Sequence, residues 1–315
     1  MGHPAIERLF LKQKTCINII KRFKNQKISQ SSKKNKMNEI LELFNNSQKN
    51  STKWKKYFKV YDDIFKKYQS KKITFVEVGI LDGGSLELWK NFFHKDSRII
   101  GVDFNPECKK LNIEGVEIVI GDQSDENFWD NFFKNIGKID ILLDDGGHTN
   151  LQQITTTIKS IKNINDDGML VIEDTHTSYQ SEFNNPSSYS FINFSKKLID
   201  DLNYKHPNMP KFRFSLNDFI YSIQYFESLV VFNINRKETY MNTKIYNLPR
   251  GYEQGIKDFR YKNSLFDKFK SNRYTNLIKK LIKIKLLSPI YKTIIIVIKK
   301  INGFIDKKKY KKYFK

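Results

Sequence analysis

The chain has 315 residues, 39% of them hydrophobic and 14% aromatic, enough to bury one good core and to form one main domain with appendages. Two cysteines, Cys16 and Cys108, exclude a disulfide framework or a cysteine zinc site and fit a reducing cytosol. The net charge of +22 suggests nucleic acid only until it is located: residues 1–40 hold ten Lys/Arg against Glu7 and Glu39, residues 271–315 hold fourteen against Asp306, and the stretch between is nearly neutral.

The start, MGHPAIERLFLKQK, mixes acidic and basic residues and does not read as a signal peptide. Residues 21–53 are rich in Lys, Asn, Ser and Gln and read as a weakly ordered linker with one short helix around Ile40 to Phe44. In 54–68, Trp54, Phe58, Tyr61, Ile64 or Phe65 and Tyr68 recur at helical spacing, predicting a helix that packs on the central domain as core rather than as a substrate lid. From residue 73, the β-branched runs ITFVEVG, SRIIGVDF, VEIVIGD, IDILLDD and GMLVIED alternate with helical stretches at 85–93, 126–136 and 151–161, which is the pattern of parallel βαβ construction. DFIYSIQYF and SLVVFNIN, parted at Glu227, predict an antiparallel hairpin closing the sheet. The tail carries LIKKLIKIKLL, with Leu277, Ile278, Leu281, Ile282 and Ile284 set against Lys279, Lys280 and Lys283, then a more apolar run over 286–298. That run contains Pro289 and Lys292 and falls short of the ~20 apolar residues a spanning helix needs. The expected division is a basic extension over 1–53, a domain over 54–270 and a basic amphipathic helical tail over 271–315.

The first strand ends in FVEVGILDGGS, which sets Glu77, Gly79, Gly83, Gly84 and Ser85 at a strand-to-helix turn where glycines let a ligand approach the backbone. Asp103 ends the second strand, at the offset where an acidic side chain meets ribose hydroxyls. A nicotinamide enzyme shares these features, but Leu81 breaks the GxGxxG spacing, an acidic residue stands two positions before the first glycine, and the Gly121-Asp122 pair ends the third strand. Together these motifs resemble the class I S-adenosylmethionine (SAM) dependent methyltransferases. With LLDDGGHT (142–149) and VIEDTHTS (171–178) at successive strand ends, the chain is similar in particular to the macrocin and mycinamicin sugar O-methyltransferases and the cephalosporin-hydroxylase-type proteins, over about residues 54–235.

The resemblance implies an α/β, Rossmann-like class I methyltransferase sheet, with Glu77, Gly79, Gly83, Ser85, Asp103 and Asp122 on the cofactor side, Ser85 through a cap or backbone contact. It also implies that Asp145, Glu173 and Asp174 bind a metal and that His148 is the general base. Neighbouring parallel strands lie about 4.8 Å apart, so the fourth and fifth strand ends bring three carboxylates close together. Unneutralised, they would repel and take up protons; a divalent cation removes the conflict, and all-oxygen ligation suits Mg²⁺ or Mn²⁺. Other assignments stay open: Asp144 and Asp145 as helix caps, Asp144 on the SAM side, His148 as a loop residue, and His176 as structural or substrate-facing. His3, His94 and His206 match no motif.

The function so implied is metal-assisted methyl transfer from SAM to a hydroxyl of a sugar or glycan-like small molecule, in the cytoplasm. Two alternatives compete with it: an iron hydroxylase using His148, Asp174 and His176, and a basic binding module with an idle Rossmann-like domain. The tail suits an anionic membrane face better than nucleic acid, and a homo-oligomer is compatible with the chain. The segment 180–215, with Asn184, Asn185, Pro186, His206, Pro207 and Pro210, is expected to cover the acceptor.

Overall fold

The structure is a computed structural model that describes residues 39–183, 187–205, 214–243, 245, 247 and 288–314. Residues 1–38, the amphipathic run over 276–284, His3, Cys16, His206 and the acceptor-segment residues Asn184, Asn185, Pro186, Pro207 and Pro210 lie outside the described residues.

Seven strands form one sheet in the order β3-β2-β1-β4-β5-β7-β6. β1 (Thr74–Val78), β2 (Arg98–Asp103), β3 (Val116–Ile120), β4 (Ile139–Asp144) and β5 (Ile164–Ile172) run parallel. Their near-continuous apolar composition fits burial on both faces. β6 (Ile220–Phe226) and β7 (Leu229–Ile234) form the expected hairpin, and β7 pairs antiparallel with β5.

Strand periodicity sorts the side chains. Phe75, Ile141, Leu143, Met169 and Val171 face a layer made by α1 (Glu39–Asn46), α2 (Tyr57–Phe65) and α3 (Gly84–Phe92). Val76, Val78, Leu142, Leu170 and Ile172 face the opposite layer, with Trp129 and Phe132 of α4 (Glu126–Ile136) and Phe191 and Leu198 of α6 (Phe191–Asn203). α5 (Asn150–Ser160) links β4 to β5.

Residues 39–53 do more than link. Ile40 of α1 is fully buried in the first core layer, and a Cβ on Gly84 would meet the backbone oxygens of Lys49 and Asn50 at 2.5 and 2.7 Å. The Ser47 hydroxyl and the Gln48 amide both donate to the Glu87 carboxylate of α3. The 47–50 segment is thereby fastened to the first turn of α3.

The chain divides into two compact units, Met1–Thr243 and Lys244–Lys315. In the second, α7 (Ser288–Tyr310) carries exposed Val297, Ile301, Phe304 and Ile305 on one face with Lys300, Lys307 and Lys311 beside it. Among the described residues, no helix is long and apolar enough to cross a membrane.

Candidate active site

Strand order reverses between β1 and β4, and in open α/β sheets the crevice at the carboxyl ends beside such a switch is where ligands bind. A cavity of about 610 Å³ opens there, lined by Gly79, Leu81, Asp103, Phe104, Gly121 and Gln123. Asp145, His148 and Asp174, with Trp54 and Tyr57, line it as well.

One rung past the last ladder positions, the Asp145 amide donates to Val78 and the Glu173 amide to Asp144, so Gly79, Asp145 and Glu173 stand side by side. Gly79 has φ +83°, and a Cβ there would lie 2.1 Å from the Asp145 carbonyl oxygen; only glycine admits this turn. Asp103 accepts from the amides of Ile80 and Leu81 through one oxygen and from Asn105 through the other, which ties the glycine turn to β2.

Not every motif residue reaches the cavity. Glu77 is fully buried beneath the turn, Ser85 is buried in the first turn of α3, and Gly83, at φ +83°, supplies the left-handed entry to that helix. Asp122 folds back to accept from the amide and hydroxyl of Ser124, while its neighbours Gly121 and Gln123 line the cavity. Gln123 also cross-braces the site: it donates to buried Asp144 and accepts from the Gly147 amide. Burial raises the Asp144 carboxyl above its ordinary range, opposed by its bonds from Gln123 and Gly146.

The β4–α5 loop explains why Asp145 is free for other work. Thr149 caps α5 in a reciprocal pair with Gln152, so neither Asp144 nor Asp145 caps the helix. Asp145, His148 and Asp174 each offer one donor atom within 4.8 Å of the others, and His148 Nε2 lies 3.5 Å from Asp174 Oδ2. His148 at φ +59° and Asp174 at φ +52° both hold left-handed backbone conformations, which cost of order 1–3 kcal/mol each and persist where surrounding structure fixes them. The Asp145 and Asp174 carboxylates at this separation fit a hard divalent cation, with the His148 imidazole beside them. His176 stands outside this group, its ring edge-on to Trp54 at 6.0 Å, so the two-histidine set of an iron hydroxylase is not assembled among the described residues. His94 accepts from the nearby Asp96 amide, far from the site in sequence and motif.

Glu173 faces elsewhere. It continues the parity of Met169 and Val171, on the face covered by α2, and is fully buried. One of its oxygens accepts from the Tyr61 hydroxyl; the other lies 3.2 Å from Lys53 Nζ. Lys53, its side chain only 2% exposed, also reaches Asp145 at 2.6 Å and Glu77 at 3.3 Å. Burial alone would lower the lysine pKa, but the surrounding carboxylates outweigh it and hold the ammonium well above its usual value. Burial likewise drives the Glu173 carboxyl well above the ordinary carboxylate range, against the pull of Lys53. The Tyr57 hydroxyl donates to Asp174 Oδ1 and accepts from the Asp174 amide, and burial followed by that hydrogen bond raises its pKa. Lys53, Tyr57 and Tyr61, four residues apart, thus form one polar stripe against the acidic strand ends.

No family model matches the chain. It is 30% identical over 166 residues, 49% of this chain and 43% of the relative, to 8-demethyl-8-alpha-L-rhamnosyl tetracenomycin-C 2'-O-methyltransferase of Streptomyces olivaceus. It is 29% identical over 163 residues to demethylmacrocin O-methyltransferase of Streptomyces fradiae, and 30% identical over 164 residues to mycinamicin VI 2''-O-methyltransferase of Micromonospora griseorubida. Each of those two alignments covers 48% of this chain and 40% of the relative, so the chain spans less than half the length of these curated relatives. Among solved structures, MycE methyltransferase with Mg and SAH aligns at TM-score 0.57 and 24% identity, covering 64% of this chain and 55% of that one. MycE with Mg, SAH and mycinamycin VI aligns at TM-score 0.59 and 22% identity, covering 68% and 57%. The described sheet and its helices therefore have the Rossmann-like methyltransferase fold.

Proposed function

We propose that this chain is a SAM-dependent, divalent-metal-assisted O-methyltransferase acting on a hydroxyl of a sugar or glycan-like small molecule. The observation that carries this reading is the meeting of Asp145, His148 and Asp174 in the same cavity that the Gly79 turn and Asp103 line. The named activities of the similar proteins are O-methylations, one of them on a rhamnosyl compound, and the MycE structures carry Mg and SAH. These support the same reading.

On the cofactor side, Asp103 would bind the ribose hydroxyls, the exposed Leu81 and Phe104 would flank the base, and Gly121 and Gln123 would meet its edge, with Asp122 holding their turn through Ser124. Glu77, Gly83 and Ser85 would shape the glycine turn from behind. On the acceptor side, Trp54 is 60% exposed and offers an apolar ring to the C–H face of a sugar. A second cavity of about 550 Å³, lined by Trp54, Tyr57 and His176, continues outward and leaves space for the rest of a glycan-like acceptor.

Asp145 and Asp174 would hold the metal; Glu173 joins them only when Lys53 releases its oxygen. A bound Mg²⁺ or Mn²⁺ supplies a Lewis acid that favours the alkoxide, and SAM supplies the methyl group. His148 takes the hydroxyl proton at Nε2, and Asp174 at 3.5 Å stabilises the imidazolium so formed. Trp54 and Tyr57 hold the acceptor over that nitrogen, and fixed geometry carries much of the rate.

Titration with SAM with and without Mg²⁺, then SAH release from a panel of sugar acceptors, tests the reading. Absence of SAM binding overturns it. His148→Ala should bind SAM normally and turn over about 10²–10⁴-fold more slowly; a fully active variant removes the base assignment.

We also propose that a cytoplasmic enzyme is held at an anionic membrane face by the tail over 271–315. The exposed Val297, Ile301, Phe304 and Ile305 would enter the interface while Lys300, Lys307 and Lys311 meet the head groups. Co-sedimentation with phosphatidylserine vesicles should vanish on deleting 271–315; binding that survives the deletion refutes this role.

A further inference from the structure

The charge placed among the candidate metal ligands is the chain's own. Lys53 Nζ sits within 2.6–3.3 Å of Asp145, Glu173 and Glu77, and two of those three are residues a divalent ion would use. The 2.6 Å contact is to Asp145 Oδ2, and Glu173 has its second oxygen on Tyr61, so neither oxygen of Glu173 is open while the ammonium stays. The lysine comes from an irregular stretch: residues 51–54 have no helix or strand, and Thr52 and Trp54 on either side line the cavity. The residues behind it, Ser47 and Gln48, are fastened to Glu87, and Tyr57 ahead of it is fastened to Asp174, so Lys53 lies on a short span between two anchors. A four-carbon stem on such a span moves an ammonium without moving the sheet.

We propose that Lys53 is a positioning residue acting as a tethered counter-cation: its ammonium holds Asp145 and Glu173 together when no divalent ion is present and is the group that ion displaces. The inference rests on the metal-assisted reading above. It makes Lys53 and the ion competitors for the same oxygens, so removing the lysine charge strengthens metal binding while weakening the metal-free protein. A lysine serving only as fixed scaffold gives the opposite sign, because its loss disorders the ligands.

The test uses the full chain without SAM. Mn²⁺ affinity is measured by electron paramagnetic resonance or calorimetry, and thermal unfolding is followed in EDTA and in Mn²⁺. Lys53→Met should bind Mn²⁺ at least tenfold more tightly than the parent, unfold at lower temperature in EDTA, and gain more from Mn²⁺ than the parent does. Lys53→Arg, which keeps the charge, should return the affinity to within a few fold of the parent. If Lys53→Met does not fold, Lys53→Gln makes the same comparison with a neutral polar side chain. Equal or weaker Mn²⁺ binding by the folded neutral variant overturns the inference and leaves the metal reading standing. No Mn²⁺ binding by parent or variant overturns the metal reading, and this inference with it.

Discussion

Tyr57→Phe removes one hydroxyl and leaves the ring. That hydroxyl donates to Asp174 Oδ1 and accepts the Asp174 amide, so it clamps both ends of a residue held at φ +52°. A hydrogen bond to a charged group contributes about 1.5–3 kcal/mol. At roughly 2–4 °C per kcal/mol for a unit of this size, the melting temperature should fall by about 3–12 °C. Losing a hydrogen-bond partner of a metal ligand typically costs about 10–100-fold in metal affinity, which at ~1.36 kcal/mol per decade matches the same interaction. Calorimetric Mn²⁺ titration beside thermal unfolding measures both quantities on one preparation. A folded Tyr57→Phe protein with unchanged Mn²⁺ affinity would refute the claim that Tyr57 positions Asp174, whatever its melting temperature. The expected direction is opposite to that for loss of the Lys53 charge, so general damage to the pocket cannot produce both results.

Two further substitutions probe the turn and the far end of the sheet. Gly79→Ala places a methyl 2.1 Å from the Asp145 carbonyl oxygen at a positive φ, and should abolish SAM binding in calorimetry and lower the melting temperature; normal SAM affinity would show that the turn yields. Asp166 accepts from the Arg236 amide and guanidinium, and those bonds hold its carboxyl below the ordinary range. A depressed carboxyl contributes stability above its unfolded pKa and loses it as pH falls through the folded value. Asp166→Asn should therefore melt below the parent at pH 7 by a few degrees, about 1 kcal/mol at this partly exposed site, and the gap should close on acidification. A gap independent of pH would place the effect outside the ion pair.

The sheet is legible because its rules are local. β-branched runs of five to nine residues alternating with amphipathic stretches predict β1 to β5, and the hairpin follows from two strand-like runs parted at Glu227. The glycine turn, Asp103, and the approach of Asp145, His148 and Asp174 follow from strand order, because parallel strand ends share an edge. Asp122 and Gln123 are harder to tell apart: which of two adjacent side chains enters the cavity depends on the turn, and Ser124 supplies Asp122 with a local partner. The short helix around Ile40 reads correctly as a helix, but its burial does not, since that depends on the distant core residues it packs with, and the chain after it at Lys49 and Asn50 fits against α3 only because Gly84 has no side chain.

The least legible element is the polar stripe of Lys53, Tyr57 and Tyr61. Aromatic residues at helical spacing read as core, and α2 does pack as core: Phe58 and Phe65 are buried among aromatic neighbours, as is the Tyr61 ring. The tyrosine hydroxyls carry a second instruction that spacing alone does not reveal, because a buried O–H needs an acceptor and they find theirs in the Glu173 and Asp174 carboxylates just past β5. Strand parity contains the missing clue. Glu77 and Glu173 alternate in step with Phe75 and Val171, on the face that α2 covers, so an acidic pair is directed beneath a helix rather than into solvent. Burying that pair beside Asp145 without compensation would protonate it. A cation must come from somewhere, and Lys53, one helical turn before Tyr57, is the side chain that delivers it. On the proposed reading the same carboxylates serve two cations, the Lys53 ammonium carried by the fold and a divalent ion from solution.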